Sequence, residues 1–107
     1  MKYRKEKREK RKKMKKIDVF QSELNKNTQL EYICKLKYVG ETFGVDGLTD
    51  GVIYNVVKDK YGSLKVVDDS EEDYIYDFKN PRLADNSSIG GTFIIVDDPQ
   101  EELKNVI

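Results

Sequence analysis

The sequence predicts a mainly β protein, a five-stranded small open barrel. Three observations support this fold class: short apolar runs joined by polar turns between residues 48 and 78, alternation of apolar and polar residues over 30–39, and the β-branched and aromatic run 92–96. A period of two is typical of a half-buried strand, and short turns require antiparallel neighbours. Rolling five short strands into an open barrel reduces the number of exposed strand edges.

The first part of the chain is strongly basic. Residues 1–16 hold eleven Lys/Arg and two Glu, a net charge of +9, whereas residues 17–107 hold nine Lys/Arg and eighteen Asp/Glu, a net charge of −9. We expect 1–16 to be a flexible extension or a frayed helix, because an isolated helix of this length is marginal in water. It is either a solvated tail or an arm for an acidic membrane surface or for nucleic acid, with Arg4, Lys5, Arg8, Arg11 and Lys12 as the candidate phosphate-binding residues.

Another hypothesis concerns the start of synthesis. Residues 9–13, Glu-Lys-Arg-Lys-Lys, can be encoded by purines alone and directly precede Met14, as a bacterial ribosome-binding site precedes its start codon. On this hypothesis natural synthesis begins at Met14 and residues 1–13 are not made.

Residues 17–29 are predicted to form a short helix followed by a linker. Ile17, Phe20 and Leu24 recur at i, i+3 and i+7, which is one face of a helix. The polar residues 25–28 indicate a break after it. The expected role is a lid over an open end of the sheet, and the alternative is a helix that binds a partner.

The barrel domain is predicted to span residues 30–98. In its first strand Tyr32, Cys34, Leu36 and Tyr38 alternate with Glu31, Ile33, Lys35 and Lys37, and the first set is expected to face inward. The later strands are expected at 52–57, 63–69, 73–78 and 92–96. Their expected inward residues are Tyr54, Val56, Leu64 and Val66, with Tyr74, Tyr76 and Phe78 divided between faces. The tail 99–107 is expected to be one helical turn or loose.

The residue types present disfavour catalysis and metal binding. The chain has no His, the commonest general acid–base residue, and Cys34 is its single Cys, expected in the core rather than as a reactive thiol. The acidic run 68–73 lacks the glycine that a calcium loop needs at its bend. We therefore expect no enzymatic activity, no catalytic or metal-binding residues and no cofactor.

The expected location is the cytoplasm. A lone Cys excludes an intramolecular disulfide, the basic start is not followed by the apolar segment of a secretory signal, and no window reaches the roughly 18 apolar residues of a membrane span.

Three segments together match a pattern known from other proteins: Tyr38-Val39-Gly40, Leu48-Thr49-Asp50-Gly51-Val52-Ile53-Tyr54-Asn55-Val56 and Val66-Val67-Asp68-Asp69-Ser70-Glu71-Glu72-Asp73-Tyr74. The order is a glycine loop, Leu-Thr-x-Gly-x-x-Tyr-x-Val, and an acidic turn before an aromatic strand. It resembles small Src-homology-3-like barrel proteins from Gram-positive bacteria and their phages or mobile elements, which have no general assigned activity. The resemblance covers roughly residues 31–96 and implies the barrel. The chain departs at Val52, where Lys is usual, and at Glu71, where Gly is usual.

The predicted function is non-catalytic protein interaction. Small barrels of this kind present aromatic grooves to peptides, and an acidic surface suits a basic partner. The alternatives are that the Tyr rings fill the core and the acids solvate an edge turn, and that the protein binds nucleic acid through its basic extension. The candidate partner-binding residues are Tyr61, Tyr74, Tyr76, Asp69, Glu71 and Glu72.

Overall fold

One antiparallel sheet makes up the fold. The computed structural model describes residues 15–44, 46–82, 85 and 87–107, and this part of the chain contains strands, turns and loops but no helix. Neighbouring strands follow the order β1-β2-β3-β4-β5, and β6 returns to pair with β2. The strands are β1 (Lys16–Gln21), β2 (Lys26–Gly40), β3 (Ile53–Lys58), β4 (Leu64–Val67), β5 (Asp73–Tyr74) and β6 (Gly91–Asp97).

The prediction of an N-terminal helix is wrong, because its residues form β1 and a turn. β1 pairs with β2 in antiparallel register, with Ile17 opposite Leu30 and Val19 opposite Thr28. Leu24, which the helical pattern required on the buried face, is 58% exposed, whereas Val19 is buried. Asn25 closes the turn at φ 53°, a left-handed conformation that Asn tolerates better than most residues. A hairpin therefore replaces the expected helix and linker.

β2 is the central strand and pairs with three others. Its start pairs with β1, its middle with β3 and its end with β6. Because β3 and β6 both pair with residues 35–37, they must lie on opposite edges of β2. β1 and β6 therefore lie end to end along one edge, and β3 covers the other.

A β-bulge at Ile33 changes which residues of β2 face the core. Tyr32 pairs with Val57 and Cys34 pairs with Val56, so Ile33 has no residue opposite it. Ile33 was expected on the outer face but is buried in the core cluster. Tyr32, which was expected on the face of Cys34, lies on the opposite face because Val56 and Val57 alternate.

The sheet curls so that its first and last parts share a core. Val66 of β4 and Phe93 of β6 belong to one buried cluster although their strands do not pair. Tyr38 belongs to the same cluster, and its ring centroid lies 5.8 Å from that of Phe43 and 6.0 Å from that of Phe93. The structure is a curled antiparallel half-barrel, which agrees with the predicted small open barrel at this level of detail.

The expected inward residues of β3 and β4 are confirmed. Tyr54, Val56 and Val66 are buried in the core, and Leu64 packs against it. Of the three aromatic residues left open, Tyr76 and Phe78 also pack against the core while Tyr74 stays exposed.

The C-terminal segment completes the core. Leu103 is fully buried in the main cluster. The Asp98 carboxylate holds it in place by accepting hydrogen bonds from the backbone N–H groups of Glu102 and Leu103, each at 3.0 Å. The segment ends in a single hydrogen-bonded turn, in which the Leu103 carbonyl accepts the N–H groups of Val106 and Ile107 at 3.1 and 3.3 Å.

Candidate functional site

Two loops on one side of the sheet are joined by hydrogen bonds. The loop between β2 and β3 is closed by paired bonds between Phe43 and Leu48. The β4–β5 turn lies against it, with the Asp69 N–H donating to the Gly47 carbonyl at 3.0 Å. The Thr49 hydroxyl also donates to Asp69 Oδ2 at 2.8 Å. The two loops therefore form one surface.

The hydroxyl of Tyr54 connects the two loops through two hydrogen bonds. It donates to Asp69 Oδ1 at 2.7 Å and accepts the Thr49 N–H at 2.7 Å. Burial, together with the hydrogen bond to Asp69, raises the pKa of Tyr54 to about 12. Thr49, Tyr54 and Asp69 all belong to the segments that carry the resemblance, so these motif residues connect β3 to both loops.

The side chain of Asp68 lies in the interior of the fold and not on the exposed surface. It is buried, accepts the Tyr76 hydroxyl at 2.7 Å and accepts the Ser70 N–H at 3.0 Å. Burial and the bond to Asp68 raise the pKa of Tyr76. Tyr76 is thus a core-facing residue whose hydroxyl is occupied.

Glu71 and Glu72 form the tip of the β4–β5 turn. Glu71 is exposed and adopts φ 71°, the left-handed conformation that favours Gly. Gly, which the resemblance leads one to expect at this position, would adopt this conformation without strain. Glu72 Oε1 accepts the N–H and the hydroxyl of Ser22, at 3.0 and 3.1 Å, and so links the turn to the β1–β2 hairpin.

Tyr74 lies among carboxylates at the edge of this surface. Its side chain is 46% exposed. The negative charge of Glu72 raises its pKa most, followed by burial and then by Asp68, Asp73 and Asp46. The sequence has no Lys or Arg in residues 38–57 or 66–78, which build both loops. We call this surface the acidic loop face; it comprises Asp46, Asp69, Glu71, Glu72 and Tyr74.

Of the six predicted partner-binding residues, the structure brings four together. Asp69, Glu71, Glu72 and Tyr74 lie on the acidic loop face, whereas Tyr76 packs against the core. Asp46 was missed, because a single acid in a glycine-rich loop gives no signal of what that loop will contact.

Tyr61 lies apart from the acidic loop face, at the β3–β4 turn. Its ring is 80% exposed, and Lys60 Nζ is 5.2 Å from the ring centroid. It lines a groove of about 650 Å³ between that turn and the β1–β2 hairpin, together with Leu24, Leu30 and Lys65. The ion pairs of Lys65 with Asp59 and Asp73, at 3.2 and 3.8 Å, balance charge there.

The five basic candidates for nucleic-acid binding, Arg4, Lys5, Arg8, Arg11 and Lys12, lie outside the described residues. Two cations that end the basic segment, Lys15 and Lys16, are described, and both are exposed. Lys15 Nζ lies 4.9 Å from the ring centroid of Tyr32.

The thiol of Cys34 is enclosed in the core of the fold. Cys34 is fully buried, as predicted, and burial followed by the charges of Asp98, Asp97 and Glu102 raises its pKa to about 12. A thiol with a raised pKa is a poor nucleophile. Within residues 15–44, 46–82, 85 and 87–107, no three His, Cys, Asp or Glu side chains are grouped as a metal site requires.

Comparisons with protein-family models, with curated protein sequences and with solved structures return no match. In the part of the chain that the structure describes, there is no helix of the length and apolarity that crossing a bilayer requires.

Proposed function

We propose that the protein is a non-catalytic interaction module whose acidic loop face binds a basic segment of a partner protein. The observation that carries this proposal is the convergence of carboxylates from two joined loops around an exposed tyrosine. Asp46 from one loop and Glu72 from the other both raise the pKa of Tyr74. Asp69 and Glu71 belong to the same turn as Glu72. Cations are absent from both loop sequences, so the charges add rather than cancel.

The chemistry of this face suits Lys and Arg side chains. Carboxylates accept charge-assisted hydrogen bonds, and an aromatic ring attracts a cation to its face. The exposed Tyr74 ring supplies that flat surface beside Glu72. Because Asp69 is already bonded to Tyr54 and Thr49, it contributes charge and rigidity. Glu71 is exposed at the tip of the turn, so a partner can reach its carboxylate.

The experiment compares two charge reversals in the full chain. Glu71→Lys and Glu101→Lys change the net charge equally, and both glutamates are exposed and adopt positive φ, 71° and 56°. The probe is a fluorescent Lys-rich peptide, with a twin in which Gln replaces Lys. We expect Glu71→Lys to weaken binding roughly 3–10-fold and Glu101→Lys to weaken it less than about 2-fold, because surface charges contribute modestly and locally.

Tyr74→Ala tests the aromatic part of the same face. We expect this variant also to bind the Lys-rich peptide more weakly, while its affinity for the Gln twin stays unchanged. Equal effects of both charge reversals, or equal binding of the peptide and its Gln twin, would show that the face has no selective role.

The finer identity of the module is also part of the proposal. The resembling segments support a Src-homology-3-like barrel from a Gram-positive bacterium, phage or mobile element, working in the cytoplasm without enzymatic activity. The buried Cys34 thiol supports the lack of nucleophilic chemistry.

A second candidate function is nucleic-acid binding by the basic extension, and the charge of residues 1–16 favours it. The acidic remainder offers little to phosphates, so the extension must supply the affinity. Replacing Arg4, Lys5, Arg8, Arg11 and Lys12 by Gln should then lower affinity for generic DNA and flatten its salt dependence. Unchanged binding at two salt concentrations would exclude this role.

A further inference from the structure

The last strand, β6, has an open edge. β6 pairs with β2 along one side, where the Gly90 carbonyl accepts the Glu41 N–H at 3.1 Å. On the other side the Gly91 N–H donates to the Pro81 carbonyl at 3.1 Å. Backbone groups alternate between the two sides of a strand, so the N–H and C=O groups of Phe93 and Ile95 face away from β2. Among the described residues, no strand pairs with them.

Within the described residues, this edge lacks most of the usual protection against pairing. Residues 91–96 contain no charge and no Pro. Ile94 and Val96 are each 50% exposed, and Ile95 is also exposed. Natural edge strands are normally shielded by charges, prolines or covering segments. An unshielded apolar edge in a chain this rich in charge indicates a surface that is covered by another chain.

We propose that a second copy of this chain covers it, with β6 paired antiparallel to β6 about a two-fold axis at Ile94. In this register Phe93 of one copy exchanges hydrogen bonds with Ile95 of the second copy, and the two Ile94 side chains lie opposite each other at the closest spacing of an antiparallel pair. This pairing requires the backbone N–H and C=O groups of Phe93 and Ile95 to face away from β2, as they do.

The charges at the ends of β6 select a second copy in antiparallel orientation. Asp97 ends the strand and Asp98 follows it. Arg82 lies beside the start of the strand, since a Cβ added to Gly90 would be 2.8 Å from the Arg82 Cβ. The Glu41 carboxylate also lies at this end, where it accepts the Ile89 N–H, but Glu41 belongs to the β2 side of the strand. Antiparallel pairing places Asp98 of each copy opposite Gly90 of the other, next to Arg82. Parallel pairing would place like charges together. Between these ends the contact is uncharged, so the acidic parts of two copies, residues 17–107 of each, can meet there.

The expected dimer is weak. The bond from Gly91 to Pro81 already occupies one end of the edge, so only the backbone groups of Phe93 and Ile95 remain for pairing. Small interfaces of this kind are transient, and association is expected at roughly micromolar concentrations or higher.

The test measures the association of the full chain by sedimentation equilibrium over a wide concentration range. Ile94→Lys places two ammonium groups opposite each other and should raise the dimer dissociation constant at least 10-fold. Ile53→Lys is the matched control, because Ile53 is also 50% exposed. Lys37 of β2 pairs with Ile53 of β3 on one side and with Ile94 of β6 on the other, so both isoleucines lie in one cross-strand row. Ile53, however, belongs to an inner strand of the sheet. Ile53→Lys should change the constant less than about 3-fold.

Further variants separate the outcomes. Val96→Lys tests the same edge if Ile94→Lys fails to fold, and Arg82→Glu should weaken the dimer by removing the end attraction. A monomer at every concentration would overturn the proposal. An equal loss with Ile53→Lys would overturn it too, because it would indicate stacking of sheet faces. This inference does not depend on the acidic loop face.

Discussion

The hydroxyl of Tyr54 joins β3 to both loops of the acidic loop face. It donates to Asp69 and accepts from the backbone of Thr49, so removing it leaves a carboxylate oxygen and an N–H without that partner. Loss of a partner from such groups typically costs about 1–3 kcal/mol. The site therefore depends on a residue that no ligand needs to touch.

We expect Tyr54→Phe to lower the free energy of unfolding by about 1–3 kcal/mol. Tyr61→Phe is the control, because the Tyr61 ring is largely exposed, and its effect should stay within about 0.5 kcal/mol. Urea denaturation of both variants measures the difference. Equal stabilities would mean that the hydroxyl of Tyr54 does not hold the loops.

The same hydroxyl makes stability depend on high pH. The pKa of Tyr54 is about 12 in the folded chain against an ordinary value of 10, and those of Cys34 and Tyr76 are also raised. A raised folded pKa contributes stability that is fully present below the unfolded pKa and is lost as pH rises through the folded one. For Tyr54 this loss falls between about pH 10 and 12, and Tyr54→Phe should reduce it.

Sequence reasoning worked at single residues where one periodicity decided the outcome. Cys34 was correctly placed in the core because it lies in an alternating run. Ile33 was misplaced, since a one-residue bulge is set by the pairing of β2 with β3 and leaves no local mark. Asp68 was expected to solvate a turn but is buried, because its partner Tyr76 lies eight residues away.

Among the elements, the strands bounded by clear turns were predictable and the first hairpin was not. β3, β4 and β6 agree with their apolar runs to within a few residues. In residues 17–24 the apolar positions fit a helix by spacing, yet Ile17 and Val19 also alternate as in a strand. The pairing of β1 with β2 decides between the two.

The β1–β2 hairpin also supports the site as a unit. Its Gln21 side chain donates to Asp73 at 2.8 Å, and Ser22 donates to Glu72. Both acceptors lie in or beside the β4–β5 turn, so the hairpin supports the acidic loop face through contacts separate from the one with Gly47. The residues in this contact are about half of the chain apart, and no local pattern predicts it.

At the scale of the whole molecule, the fold class could be predicted from the sequence, but the contacts that close the sheet around its core could not. Short alternating runs predict a small antiparallel barrel, and the sheet does curl so that Phe93 and Val66 share a core. The burial of Leu103 and the union of the two loops depend on contacts between distant segments. The acidic residues of the β4–β5 turn can be read from the sequence, but only the fold brings Asp46 close to them.

The central claim is that a basic segment binds where the two loops meet, and its most direct test is a backbone amide NMR titration of the full chain with the Lys-rich peptide. We expect shift changes at residues 46–50 and 69–74 and little change at 97–104, although Asp97, Asp98, Glu101 and Glu102 form an acidic segment there. Changes of equal size at both places, or changes confined to 97–104, would contradict the claim.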